Sequence, residues 1–279
     1  MKRYFKFFIY LSLFVLGFAG VKDFCQKKTQ GFSLQKVVSQ TPFNPKKEAS
    51  QTLSLDELSS IRQILNQPYH FLKRGLQCYV FVSEDDQYVL KFFRWGQIEA
   101  PLWSQYLPSS WVKKLQGRKE AQKNHDFMSY KIASEELQEE TGTLFLHLEK
   151  TSFLKVPLCL FDPLKIHHHL ESDQIEFILQ KKTDLFLPYF EKNKQNKQEL
   201  HSFFSHFANL LKNRIQKQIS DSDISLEYNM GVLDGKPVLF DIGNLTKKNS
   251  TLQQESQLVL HWLKNNDPEL ALFLEELLK

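Results

Sequence analysis

The sequence predicts an α+β chain, a small β-rich part followed by a short helical part, behind an apolar N-terminal helix. Three observations lead there. Between Leu72 and Lys181, short strand-forming runs alternate with turn signals: Leu72–Phe93, Thr143–Leu148, Val156–Phe161 and Ile166–Lys181, the last reading as a long hairpin or strand pair. From Lys197 to Ile219, Leu200, Phe203, Phe204, Phe207, Leu210, Leu211 and Ile215 recur at three- and four-residue steps, as on a helix with one buried face. Between Asp221 and Gly243, two apolar runs, Met230–Leu233 and Pro237–Phe240, flank Asp234-Gly235, a strong hairpin signal.

Length and composition allow this. A chain of 279 residues can bury a sizeable core in one large domain or two lobes. Its 24 phenylalanines favour a packed interior over disorder. The net charge of +4 is spread over separate lysine pairs such as Lys46-Lys47 and Lys181-Lys182, which argues against a nucleic-acid footprint. Three widely spaced cysteines, Cys25, Cys78 and Cys159, form neither a disulfide framework nor a zinc pattern.

At the N-terminus, Lys2, Arg3 and Lys6 precede the apolar run Phe7–Val21. It reads as a signal peptide or a short membrane anchor, which places the protein at the cell envelope, anchored or exported, with its orientation open. The polar stretch 22–52, with Pro42 and Pro45, reads as a linker. Ser54-Leu-Asp-Glu57 is a capping box opening a helix to about Asn66, with Leu55, Leu58, Ile61, Ile64 and Leu65 inward.

Glu84-Asp85-Asp86 marks a turn between strands, and Lys91 follows in Tyr88–Phe93 on a face with Val89 and Phe93. A lysine among apolar neighbours needs a buried partner or a route to water. Arg94–Trp111, with Trp95, Trp103, Trp111, Pro101 and Pro108, reads as an insertion. Lys114–Glu140 is a charged helix. His167-His168-His169 suggests a metal site, but successive strand residues point to opposite faces, so the run reads as polar strand surface. After Gly243, Thr251–Leu263 reads as one helix, and Asp267-Pro268 caps another.

In a hairpin, the start of the first strand lies beside the end of the second. Asn229 and Asp241 therefore converge at the open end whatever the turn register. An amide oxygen and a carboxylate there, with Asp221, Asp223 and Glu227 upstream, suit a hard cation such as magnesium.

Asn229, the hairpin and Asp241-Ile242-Gly243, with Lys91 upstream, resemble the core of the protein kinase-like superfamily. The resemblance spans roughly residues 70 to 245 and implies a two-lobe protein kinase-like fold. The N-lobe would take residues 53–182 and the helical C-lobe residues 183–279, with Gln180–Asp184 as the hinge. It implies that Asn229 and Asp241 hold Mg2+ and that Lys91 pairs the phosphates of ATP. Gly75 would belong to the glycine-rich loop and Glu120 to the helix facing the lysine, with Glu135 and Glu136 as further candidates. The catalytic acid would be Asp223 or Asp221. The family places it five residues before the Asn, where Ile224 stands, and no His-Arg precedes it. Only Gly75 of the three loop glycines is present, and there is no Ala-Pro-Glu motif. The resemblance thus implies a phosphotransferase from Mg-ATP to a small-molecule, sugar or envelope acceptor. The alternative is a catalytically inactive pseudokinase acting as an envelope-anchored binding or scaffold protein, with a protein as its partner.

Overall fold

The computed structural model describes residues 2–38, 53–94, 108–221 and 223–279. Its elements run α1 (Lys2–Lys28), α2 (Leu55–Leu65), β1 (Pro68–Arg74), β2 (Cys78–Ser83), β3 (Tyr88–Phe93), α3 (Ser109–Glu136) and α4 (Gln138–Thr141). Then come β4 (Thr143–His147), β5 (Pro157–Phe161), β6 (His167–Glu171), β7 (Phe177–Lys181), β8 (Asp184–Leu185), α5 (Phe186–Asn193) and α6 (Lys197–Gln216). The last are β9 (Ile219–Asp221), β10 (Met230–Leu233), β11 (Lys236–Leu239), β12 (Leu245–Lys247), α7 (Leu252–Asn266) and α8 (Pro268–Leu277). The architecture is mixed α+β, rich in strands before Lys181 and in helices after Phe186. Pro42, Pro45, Trp95, Pro101 and Trp103, placed in the expected linker and insertion, lie outside the described residues.

Two compact units emerge: Met1–Glu84, Phe92–Gly96 and Glu149–Glu176 form one, and Asp85–Lys91, Gln97–Leu148 and Phe177–Lys279 the other. In the first, β1 pairs antiparallel with β2 from Tyr69↔Ser83 to Arg74↔Tyr79, with an irregularity between Phe71 and Lys73. On its other edge β1 pairs parallel with β5, which pairs antiparallel with β6. The chain after α1 lies on this sheet. Phe32 is buried and meets Tyr79 and Phe81 edge-on at 5.3 and 5.4 Å, while Val38 bridges to Ile175. The capping box of α2 forms as its sequence requires, with Glu57 N donating to Ser54 Oγ and Ser54 N to Glu57 Oε2. Ile61 and Leu65 are its buried residues, whereas Leu55, in the first turn, is exposed.

Ile166–Lys181 is not one hairpin. β6 pairs with β5 and β7 with β4, because Asp173 between them is buried and accepts hydrogen bonds from Leu154 N at 3.0 Å and Lys155 N at 2.7 Å. That tether turns the chain between the strands. Within β6 the expected alternation holds: His168 reaches Asp162 at 2.9 Å, while His167 Nε2 lies 2.9 Å from Cys159 Sγ.

The second unit is built on α6. Its Phe203, Phe204, Phe207 and Leu211 pack with Phe186, Phe190, Met230, Val232, Leu239, Val259, Leu263 and Leu274 in one apolar core. Burying such side chains stabilises by about 1.5–3 kcal/mol each. β10 and β11 form the expected hairpin, Met230↔Leu239 to Leu233↔Lys236. Asp234 and Gly235 both have positive φ, 51° and 75°, as the tight primed turn demands. β8 adds to this pair through β10, and β9 pairs with β12.

Anchoring in a membrane through the N-terminal apolar segment, and the envelope location drawn from it, are corrected here. Among the described residues no helix is long and apolar enough to cross a membrane. The apolar run of 15 residues in α1 is flanked by Lys2, Arg3 and Lys6 on one side and Lys22 and Asp23 on the other. At 1.5 Å per residue, 15 residues reach about 22 Å, short of a hydrocarbon layer of about 30 Å.

Candidate functional site

The β10–β11 hairpin brings Asn229 and Asp241 to one end, as the turn signal implied. Asn229 is buried, and its main-chain oxygen accepts from Phe240 N at 3.1 Å and Asp241 N at 3.5 Å. Its side-chain nitrogen donates to the carbonyl oxygen of Asp223. Asn229 therefore ties the acidic loop to the hairpin end. Asp241 is exposed beside it.

The two candidate acids sit in different surroundings. Asp223 is exposed. Asp221 ends β9, is buried, and accepts from Asp223 N at 3.0 Å. Burial pushes the Asp221 carboxyl above the usual carboxylate range, against the pull of Arg214. Arg214 on α6 and Glu255 on α7 form a buried ion pair. Glu255 also accepts from Ser220 Oγ at 2.6 Å and Asp221 N at 3.2 Å. Asp221 is thus part of a buried charge cluster that fixes the loop entry, and Asp223 is the acid that faces outward.

Lys91 finds its partner on the same hairpin. Its Nζ donates to the carbonyl oxygen of Phe240 and lies 5.7 Å from the Phe240 ring centre. This answers the requirement that its strand position imposed. Glu120, by contrast, is exposed on α3. The acid that α3 buries is Asp126, which accepts from Gln122 Nε2 at 2.7 Å. Burial raises the Asp126 carboxyl above its ordinary range; Gln122 and His125 pull it back, and the charge of Asp241 pushes it further up. One turn along α3, Ser129 Oγ donates to Ile242 O and accepts from Leu245 N at 2.7 Å. Helix, strand lysine and Asn229 all hold the backbone around Asp241.

Gly75 belongs to the first unit. Its amide donates to Cys78 O at 2.8 Å, and its carbonyl accepts from Arg94 Nη1 at 2.9 Å. Among the described residues, no group of three His, Cys, Asp or Glu side chains is arranged to hold a metal ion.

No protein-family model matches the sequence, and no curated protein matches it. Among solved structures, WbdD in complex with the kinase inhibitor LY294002 is 16% identical. That match covers 69% of this chain and 36% of WbdD, at a TM-score of 0.34. A second WbdD structure, described as a bifunctional kinase-methyltransferase, matches at 15% identity over 72% of this chain and 34% of that one, TM-score 0.32. Rv3197 of Mycobacterium tuberculosis, in complex with erythromycin, is 12% identical over 83% of this chain and 62% of that one, TM-score 0.33. This chain thus spans about a third of the WbdD chains. Likenesses this loose carry no argument about activity.

The acid buried on α3 is an aspartate, Asp126, rather than one of the glutamates expected there. The signal was available: Asp126 shares the three- and four-residue spacing of Ser129, Tyr130, Ala133 and Leu137, all buried, whereas Glu120 and Glu135 fall on the exposed face. The Arg214–Glu255 pair had no such signal, since its members lie on separate helices.

Proposed function

We propose that this chain is a kinase-like phosphotransferase that moves a phosphoryl group from Mg-ATP to the hydroxyl of a small molecule or sugar. The observation that carries the reading is the double tie of Asn229, side chain to Asp223 O and main chain to Phe240 and Asp241. It ties the main chain of Asp223 and of Asp241 to one residue, so that the Asn229 amide oxygen and the Asp241 carboxylate would supply the donors. Such a donor set of two oxygens fits magnesium, which keeps several waters and takes further oxygens from substrate phosphates. Bound there, magnesium would neutralise charge developing on the phosphates.

In this reading Asn229 and Asp241 hold the ion, and Asp223 orients the acceptor hydroxyl and receives its proton. Lys91, anchored at Phe240, supplies positive charge to the phosphates. Asp126 takes the place expected of Glu120 as the helix acid facing that backbone. Asp221 is a positioning residue. Gly75 lends some weight to a pseudokinase instead, since its amide is already bonded to Cys78 O.

The test is nucleotide binding by the full chain, with and without magnesium, repeated in Asp241→Ala and followed by phosphoryl transfer to a panel of hydroxyl acceptors. Magnesium-dependent ATP binding that disappears in the variant, with transfer, is the expected result. Binding without transfer supports the pseudokinase. Binding indifferent to Asp241 overturns the metal pair.

A further inference from the structure

Three cations meet in the first unit where the chain after α1 crosses the β1–β2 loop. Lys36 Nζ donates to Gly31 O at 2.7 Å, Arg74 Nη1 to Gln30 O at 3.3 Å, and Arg94 Nη1 to Gly75 O at 2.9 Å and Leu76 O at 2.8 Å. Tyr79 joins them: its hydroxyl donates to the same Gly31 oxygen, and the Arg94 guanidinium lies 5.3 Å from its ring centre. The approach is close enough that a Cβ on Gly31 would stand 3.1 Å from Arg74 Nη1. Every one of these hydrogen bonds ends on a neutral carbonyl. Among the described residues no carboxylate pairs with Lys36, Arg74 or Arg94.

Like charges held together cost free energy, and the cost appears on the weakest base. Partial burial, then the charges of Arg94 and Arg74, hold the Lys36 ammonium below its usual range. A cluster of this kind is relieved when an anion enters it. Two guanidinium groups retain planar N–H donors beyond those bonded to carbonyls, and such forks match phosphate oxygens. One phosphate carries a charge of roughly −1.5 to −2 at neutral pH, less than three cations offer.

We propose that Lys36, Arg74 and Arg94 form a binding site for an anion carrying two or more phosphates. The segment after α1, which reads as a polar linker, is then part of a ligand site: it supplies one cation of the three and the carbonyls that orient two. The anion is either the polyphosphate of a nucleotide or a free inorganic polyphosphate, and the two share the same recognition chemistry.

The full chain is titrated with inorganic triphosphate by calorimetry at low ionic strength and without magnesium, then at rising salt. One triphosphate per chain is expected, with affinity that falls as salt rises. Lys36→Gln and Arg74→Gln should each weaken it about tenfold or more, Lys36→Arg should retain it, and thermal unfolding checks that each variant is folded. Asp241→Ala should leave it unchanged, so this site and the proposed metal site fail independently. Displacement of triphosphate by ATP assigns the anion to a nucleotide, and lack of displacement assigns it to a free polyphosphate; either supports the site. Absence of triphosphate binding, or binding indifferent to Lys36→Gln and Arg74→Gln in folded protein, overturns it.

Discussion

The hydroxyl of Ser129 on α3 donates to the carbonyl oxygen of Ile242, and Ser129 Oγ in turn accepts from the amide of Leu245. One buried side chain thus satisfies two backbone groups on either side of Gly243. Ser129→Ala leaves both without that partner, at about 1–3 kcal/mol for each buried group left unsatisfied. Urea unfolding should show the loss. Magnesium-dependent nucleotide affinity should drop with it, because Asp241 sits on the loosened backbone.

Lys91→Met tests whether the strand lysine serves phosphates or only packing. If it meets developing charge, phosphoryl transfer should fall on the order of 10²–10³-fold, as for loss of other preorganised donors, with a small change in unfolding free energy. A loss of stability alone would reduce Lys91 to a tether of Phe240.

Asp221 gives a pH signature. Its carboxyl is raised above the usual range by burial, with Arg214 opposing and Glu255 and Asp223 adding to the rise. A raised folded-state pKa means the folded chain holds the proton longer than the unfolded chain. The stability this group contributes is complete below the ordinary carboxyl range and is lost as pH rises through the raised value. The stability of the parent relative to Asp221→Asn should therefore decline from about pH 4 upward and then level off. A difference constant from acid to neutral pH would show that the carboxyl titrates normally.

Gly231 answers a close approach within the second unit. A Cβ there would meet Thr183 Oγ1 at 2.2 Å and Asp184 O at 2.9 Å. Gly231→Ala must push β10 away from β8 and should cost about 1–3 kcal/mol by overpacking. Gly231→Ala combined with Thr183→Gly should recover part of that loss, measured by thermal unfolding.

The parts legible in the sequence were those set by local rules. The Asp234-Gly235 turn fixed the convergence of Asn229 and Asp241, and the periodicity of α6 fixed the core beneath them. Alternation on β6 correctly separated His168 from its neighbours. What the sequence concealed depended on partners far along the chain. The buried tether of Asp173 splits the supposed hairpin of Ile166–Lys181, and nothing local to either strand signals it. The burial of Asp221, whose amide donates to Glu255 far along the chain, has no local signal either.

Glu255 bears on the order in which the protein is made. The carboxylate that receives Arg214, Ser220 and the amide of Asp221 is synthesised about thirty residues after the acidic loop it secures. A nascent chain that has already released Asp223, Asn229 and Asp241 has Asp221 near Arg214 but still lacks the carboxylate that hydrogen-bonds its guanidinium. A buried cation without that hydrogen-bonded partner opposes closure of the half-made core. The proposed catalytic loop should set only once α7 has emerged, so the nascent protein acquires a folded C-terminal unit and a competent loop in the same step.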